Sequence, residues 1–170
     1  MLLISIRVVG DGNLANYTLI YQSTMTTNSV NQVICSGGIF LARDTGRFLF
    51  LLRTQGKTAG TWGLAGGRKE PEDQTPFDIL TREIQEEVGS TPAIKKIVPL
   101  ELFMSNDENF QYNTYILIVE NEFIPVLNHE HAGYAWCNFM QWPKPLHRGV
   151  KSCLNNQTIK TKIELLLDLI

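Results

Sequence analysis

The sequence predicts an α+β fold in which a mixed β-sheet is covered by helices. Three observations predict it. Four apolar runs of strand length lie between turn-forming clusters, two segments repeat apolar residues at helical spacing, and the strands follow one another without strict β-α-β alternation. At 170 residues the chain has room for one domain with a proper core and is short for two. A composition of 44% hydrophobic and 19% charged residues disfavours both a disordered chain and a membrane protein. The formal charge of -2 argues against bulk binding to a nucleic-acid backbone, which needs a basic footprint, while leaving room for a local basic pocket.

Residues 1–9 are apolar with Arg7 among them, too short a run to span a bilayer and a poor signal peptide. With residues 17–22 they predict an N-terminal β-hairpin around the turn at 10–13. The polar stretch 23–31 reads as a linker, so residues 1–30 are expected to be an extension and 31–170 the main domain. Val33–Ala42 and 48–53 read as strands joined by Asp44-Thr45-Gly46. Residues 60–67 read as a glycine-rich loop. Residues 75–88 predict a helix with clear punctuation: Thr75 as N-cap, Pro76 at the first helical position, Gly89 as the stop. Strands follow at 94–104 and Phe110–Val119 around the turn 106–109, with a last short strand at 134–138. Residues 142–149 read as a rigid loop. Ile159, Ile163, Leu166, Leu167 and Ile170 recur at helical spacing and give a terminal helix one apolar face. Cys35, Cys137 and Cys153 are odd in number, widely spaced and without a C-x-x-C pair. They are expected to be small buried residues in a reducing cytoplasm rather than a disulfide framework or zinc site.

The first helix carries the chemistry. Glu83, Glu86 and Glu87 lie within five residues, and at about 100° per residue they share one side of the helix, spread over roughly 100°. Phe77, Leu80, Ile84 and Val88 form the neighbouring apolar stripe, and Asp78, Thr81, Arg82 and Gln85 the solvated side. The carboxylates thus border the buried face. Like charges clustered there repel and raise each other's pKa unless a cation intervenes. Oxygen-only ligands suit magnesium. For acidic residues on a helix at random, solvated charge with Arg82 as local partner is the ordinary reading. The segment Trp62-Gly63-Leu64-Ala65-Gly66-Gly67-Arg68-Lys69 changes it. Paired glycines let backbone approach a ligand or metal, and the basic residues after them can meet phosphate oxygens, so loop and helix together describe a site for magnesium and a polyphosphate.

From Gly67 to Ser90 the run GRKEPEDQTPFDILTREIQEEVGS resembles the signature of the Nudix (MutT-like) hydrolase family, G-x5-E-x7-R-E-U-x-E-E-x-G-U with U a bulky aliphatic residue. The core R-E-U-x-E-E-x-G is complete in Arg82 to Gly89. One extra residue lies between Gly67 and Arg82, so the first glutamate of the signature falls on Asp73 or Gln74 according to the direction of counting, with Glu72 adjacent. Ser90 replaces the final aliphatic residue, and Ala65 stands where proline is usual. The resemblance implies a Nudix-type α/β/α sandwich with the mixed sheet between helices. It implies that Glu83, Glu86 and Glu87 hold magnesium, or manganese in its place, with the Gly66 carbonyl as a further ligand and Arg82 orienting the glutamates. The metals would neutralise diphosphate charge and lower the pKa of the water that attacks phosphorus in line. Arg53, Arg68 and Gly67 are the candidate substrate contacts. Relatives often add a carboxylate from a later loop. Glu130, within Asn128-His129-Glu130-His131, is the choice here and completes the catalytic set with Glu86, Glu83 and Arg82, while Glu108 and Glu120 remain rivals. The two histidines of that triplet read as surface loop residues rather than zinc ligands.

The function so implied is that of a cytoplasmic nucleotide pyrophosphohydrolase. It would act on a small nucleotide-derived substrate, a nucleoside diphosphate linked to another moiety, with no membrane partner and with the N-terminal hairpin offering a homodimer contact. Two other readings stand beside it: a catalytically weak nucleotide-sensing module, and an RNA-end hydrolase of the decapping type, which the net charge opposes. Trp62, Phe103, Phe110, Tyr112, Trp136 and Trp142 offer stacking surfaces for a base, though core packing explains each as well. Lys144 and Arg148 are weaker substrate contacts in what reads as a connecting loop.

Overall fold

The computed structural model describes residues 32–170. The hairpin and linker expected at 1–31 lie outside the described residues. Strands β1 (Val33–Ala42), β2 (Arg47–Arg53), β3 (Trp62–Gly63), β4 (Ala65–Arg68), β5 (Lys96–Met104), β6 (Phe110–Val119) and β7 (His131–Cys137) form one sheet, with helices α1 (Pro76–Glu87), α2 (Arg148–Asn155) and α3 (Gln157–Leu167). The central order is β3-β2-β1-β6-β5, with β4 also on β1 and β7 also on β2. The sheet is mixed: β1 and β6 run parallel in register from Val33↔Phe110 to Ala42↔Val119, and the other pairs are antiparallel.

The alternation of β1 builds the sandwich. Ile39 and Leu41 face one side, where they meet Phe48, Phe50, Ile116 and Ile118 and are covered by Cys153 and Leu154 of α2 and Ile159 and Ile163 of α3. Phe40 and Ala42 face the other, where Leu49, Leu51, Leu117 and Val119 pack on Leu80, Ile84 and Val88 of the first helical segment. The result is an α/β/α sandwich with a core on each face of the sheet. Among the described residues no helix is long and apolar enough to cross a membrane.

A fork in the sheet positions the site. β1 and β2 pair only near their connecting turn, at Leu41↔Phe48 and Ala42↔Arg47. Beyond it, β3 pairs with β2 at Leu51↔Gly63, and β4 pairs with β1 from Gly38↔Ala65 to Cys35↔Arg68. The segment expected as a loop at 60–67 is therefore two short strands, with Leu64 buried between them. Its glycines show no strand alternation in sequence, and their extended form comes from the partner strands. Gly66 and Gly37 approach so closely that a Cβ on Gly66 would meet the Gly37 Cα and the Ser36 carbonyl oxygen.

Two further expectations are corrected. Residues 148–155, read partly as loop and partly as unassigned chain, form α2, a helix whose N-cap His147 makes no side-chain capping bond. On α1, Ile79 is fully buried while Phe77 is 47% exposed, so the apolar stripe is rotated from the expected one. That rotation carries Glu83 and Glu87 into the buried set and tucks Arg82 between its neighbours instead of leaving it solvated.

Candidate active site

α1 begins with a reciprocal cap. Thr75 Oγ1 accepts from the Asp78 N–H at 3.2 Å, and Asp78 Oδ2 accepts from the Thr75 N–H at 2.7 Å. Hydrogen bonding to Thr75 holds the Asp78 carboxyl below its ordinary pKa. With the start of the helix fixed, the side bearing Glu83 and Glu87 is turned onto β4. The missing side chain of Gly67 makes the space for Glu83, because a Cβ there would overlap the Glu83 carboxylate. Glu87 is 2% exposed, and its Oε2 accepts from the Gly66 N–H at 2.7 Å. Burial pushes the Glu87 carboxyl up to about 8, against the pull of the Gly66 hydrogen bond and with the push of neighbouring Glu83. Burial also raises Glu83, opposed by Arg82.

Arg82 is the hub that arranges the carboxylates. Its Nη1 donates to Glu83 Oε1 at 2.9 Å and lies 3.5 Å from Glu86 Oε2. Its Nη2 donates to Asp73 Oδ2 at 3.0 Å and to the Arg68 carbonyl at 2.8 Å. Asp73, with these bonds foremost, raises the Arg82 pKa still further, and Asp73 itself is held low, first by its bond to Arg82 and then by the Glu70 N–H. Of the three residues competing for the place of the signature's first glutamate, Asp73 is the one buried against Arg82, while Glu72 and Gln74 are exposed. The extra residue in the loop is absorbed without loosening that anchor.

On the other side of Glu87 stand Arg53, Glu130 and His131. Arg53 closes β2, with its guanidinium 3.7 Å from Glu130 Oε2 and its Nε buried without a hydrogen-bond partner. Among the rivals of Glu130, Glu120 pairs with Arg43 at 3.7 Å, and Glu108 lies in the turn between β5 and β6. The charge of Glu130 helps to raise both Glu83 and Glu87, after burial in each case. His131, expected on the surface, is a correction: its side chain is fully buried, and Nε2 faces Glu87 Oε1 at 3.8 Å. Nδ1 faces the Asn128 Oδ1 acceptor at 3.4 Å, so Nδ1 carries the proton and Nε2 presents a lone pair. Burial, with Arg53 adding to it, lowers His131 to about 4. The contact with Glu87 therefore involves a neutral ring and is no ion pair at neutral pH. Starting the last strand at Tyr134 hid this residue; carried back to His131, the strand opposes it to Arg53 across a register shift.

Thus Glu83, Glu86, Glu87, Gly66, Gly67, Arg82, Arg53 and Glu130 gather at the mouth of the fork. Arg68 lends its carbonyl to Arg82, and its exposed side chain lies near the Cys35 thiol, which burial raises and the arginine's charge pulls back. Among the described residues no three histidine, cysteine or acidic side chains already surround one point, and Arg82 engages Glu83 and Glu86. The donors nonetheless fit a hard divalent ion. They are all oxygens, and Glu83 and Glu87 are carboxylates desolvated side by side, with Arg82 paired to Glu83 alone of the two, so a cation would relieve the repulsion between them. Magnesium characteristically takes only one or two carboxylates and completes its shell with water and phosphate.

A family model described as the NUDIX domain matches residues 36–156. No curated protein matches the chain. Among solved structures, the chain is similar to a MutT/nudix family protein from Enterococcus faecalis at 18% identity and TM-score 0.55, covering 65% of this chain and 45% of that one. It therefore spans less than half the length of that relative. It is similar to the NUDIX domain of Shewanella oneidensis NrtR in complex with ADP ribose, at 15% identity and TM-score 0.59, covering 79% of this chain and 88% of that one. It is similar also to a C. elegans Ap4A hydrolase, at 16% identity and TM-score 0.57, covering 80% and 99%. At these identities the structural likeness concerns the fold.

Proposed function

This chain belongs to the NUDIX family, and from that premise we propose that it is a magnesium-dependent hydrolase that cleaves the diphosphate linkage of a nucleoside diphosphate derivative. The observation that carries the reading is the pair of desolvated glutamates, Glu83 and Glu87, set against the glycines of β4 beside the solvent-facing Glu86. Glu83, Glu86 and Glu87, with Gly66, would hold the metal. Bound there, magnesium supplies charge neutralisation on the diphosphate and acidifies water for attack on phosphorus. Arg82 holds Glu83 and Glu86 in place and is itself fixed by Asp73. Arg53 and Arg68 bind phosphate oxygens, and Glu130, whose side chain is 40% exposed, takes the proton of the attacking water at its carboxylate.

ADP ribose in the Shewanella domain and the diadenosine substrate in the name of the C. elegans enzyme mark the range to test first. Purified protein is incubated with magnesium and dinucleoside polyphosphates, nucleoside triphosphates, ADP-ribose or NADH, and the products are separated by chromatography. Cleavage within a diphosphate is expected, with loss of kcat of about 100-fold or more in Glu86→Gln. Nucleotide binding without turnover of any compound would overturn the hydrolase reading in favour of a sensor.

A further inference from the structure

The six aromatic residues available for base stacking part ways in the structure. Trp136 packs edge-on to Phe123 at 5.7 Å and donates its indole N–H to the Phe123 carbonyl. Trp142 is enclosed by Phe48, Phe50 and Phe139, each within 5.6 Å. Trp62 packs on the same core. Phe103, Phe110 and Tyr112 instead form a ladder of their own, at 6.2 Å and 6.4 Å between successive rings, and Phe103 at its end is 46% exposed.

The ladder is continuous with the phosphate side of the site. Arg68 on β4 lies opposite Cys35 on β1, Cys35 opposite Tyr112 on β6, and Tyr112 opposite Phe103 on β5. Residues in one cross-strand row point to one face, and the electrostatic influence of Arg68 on the Cys35 thiol agrees with that. The Tyr112 ring leans over β1 to the bare Gly37, where a Cβ would strike its hydroxyl. Arg68 and Tyr112 stand two strand spacings apart, about 10 Å, which leaves one ribose between a phosphate at the arginine and a base on the rings. α2 and α3 cover β5 earlier along its length, where Cys153 shares a core with Leu100 and Lys162 donates to the Leu100 carbonyl. Phe103 lies beyond them.

We propose that Phe103, Phe110 and Tyr112 are the stacking platform for the nucleobase of the substrate. The inference rests on the hydrolase reading for the identity of that substrate and names its recognised part. The platform offers ring faces more than a donor and acceptor pattern, so it accepts any base and favours the larger purines.

The test compares AMP with ribose 5-phosphate, which lacks only the base, by calorimetric titration of the full chain with magnesium present. Neither probe holds a phosphoric anhydride to cleave. Wild-type protein is expected to bind AMP about tenfold or more tightly than ribose 5-phosphate. Phe103→Ala and Phe110→Leu are expected to bring AMP down towards ribose 5-phosphate while leaving the latter and the thermal midpoint unchanged. Equal binding of the two probes by the wild type, no measurable AMP binding, or AMP affinity untouched in both variants overturns the platform. A chain that passes this test yet turns over nothing in the substrate panel leaves the platform standing and removes the hydrolase.

Discussion

Glu87 sits where a carboxylate is hardest to keep charged: it is nearly inaccessible to solvent, close to Glu83, and backed by a neutral imidazole. The Gly66 N–H holds one of its oxygens and His131 limits the other, so the carboxylate has little freedom to swing. Partners of this kind around a metal-holding residue are commonly worth about 10–100-fold in affinity. His131→Ala is therefore expected to weaken manganese binding by that order, read by titration under electron paramagnetic resonance with no substrate present. An unchanged manganese affinity with a lowered thermal midpoint would reduce His131 to packing. At this scale the sequence revealed what helical periodicity carries. Glu83, Glu86 and Glu87 share one side of α1, as spacing predicts, whereas Arg82, which spacing put on the solvated side, stands among them. His131 was hidden because its burial depends on where β7 begins and on the register shift opposite Leu52 and Arg53, neither of which is written in nearby residues. Asp73 could not be separated from Glu72 and Gln74 by counting, and only the path of the loop turns it to Arg82.

α1 is the element on which the site depends, and its N-terminal cap can be tested apart from the chemistry. Thr75→Ala removes the acceptor for the Asp78 N–H and is expected to cost about 1 kcal/mol, measured from the urea midpoint. Asp78 adds a pH dependence. Its folded pKa is lowered, so its contribution is fully present above the unfolded value of about 3.9 and is lost as pH falls through the folded value. Unfolding free energy should drop as pH falls below about 3.9, and Asp78→Asn should flatten part of that drop; equal pH slopes in both proteins would show that the cap carries no charge contribution. The elements differ in how openly they announce themselves. β1 and β6 match their expected limits because a turn follows β1 from Arg43 and another ends just before β6 at Asn109. β3 and β4 were unreadable, since Trp62-Gly63-Leu64-Ala65-Gly66-Gly67 lacks alternation and becomes strand by pairing across the fork. α2 has no side-chain cap and buries only Cys153 and Leu154, too little pattern to separate it from the loop before it.

At the scale of the molecule, the sheet places chemistry at a discontinuity. β1 and β2 part, a glycine-rich segment fills the gap, and the two faces of the sheet bring different things to it: α1 with its glutamates on one, the aromatic row of β5 and β6 on the other. A substrate whose charged centre and flat base need different surroundings fits such an edge. All the candidate residues for metal, phosphate and base, from Arg53 to Glu130, lie within the span 36–156 matched by the family. Both core clusters described, from Ile39 to Ile170, are built by the same sheet and its helices. We therefore propose the boundary read from the polar stretch at 23–31: residues 1–30 form an extension, and 31–170 form the hydrolase domain. A chain beginning at Asn31 is expected to unfold in one cooperative urea transition and to keep the kcat/KM of the full chain with magnesium. Loss of cooperative unfolding would place the first thirty residues within the folding unit. Retained folding with a raised KM would make them part of substrate binding instead, and a change in elution from a sizing column alone would assign them to association between copies of the chain.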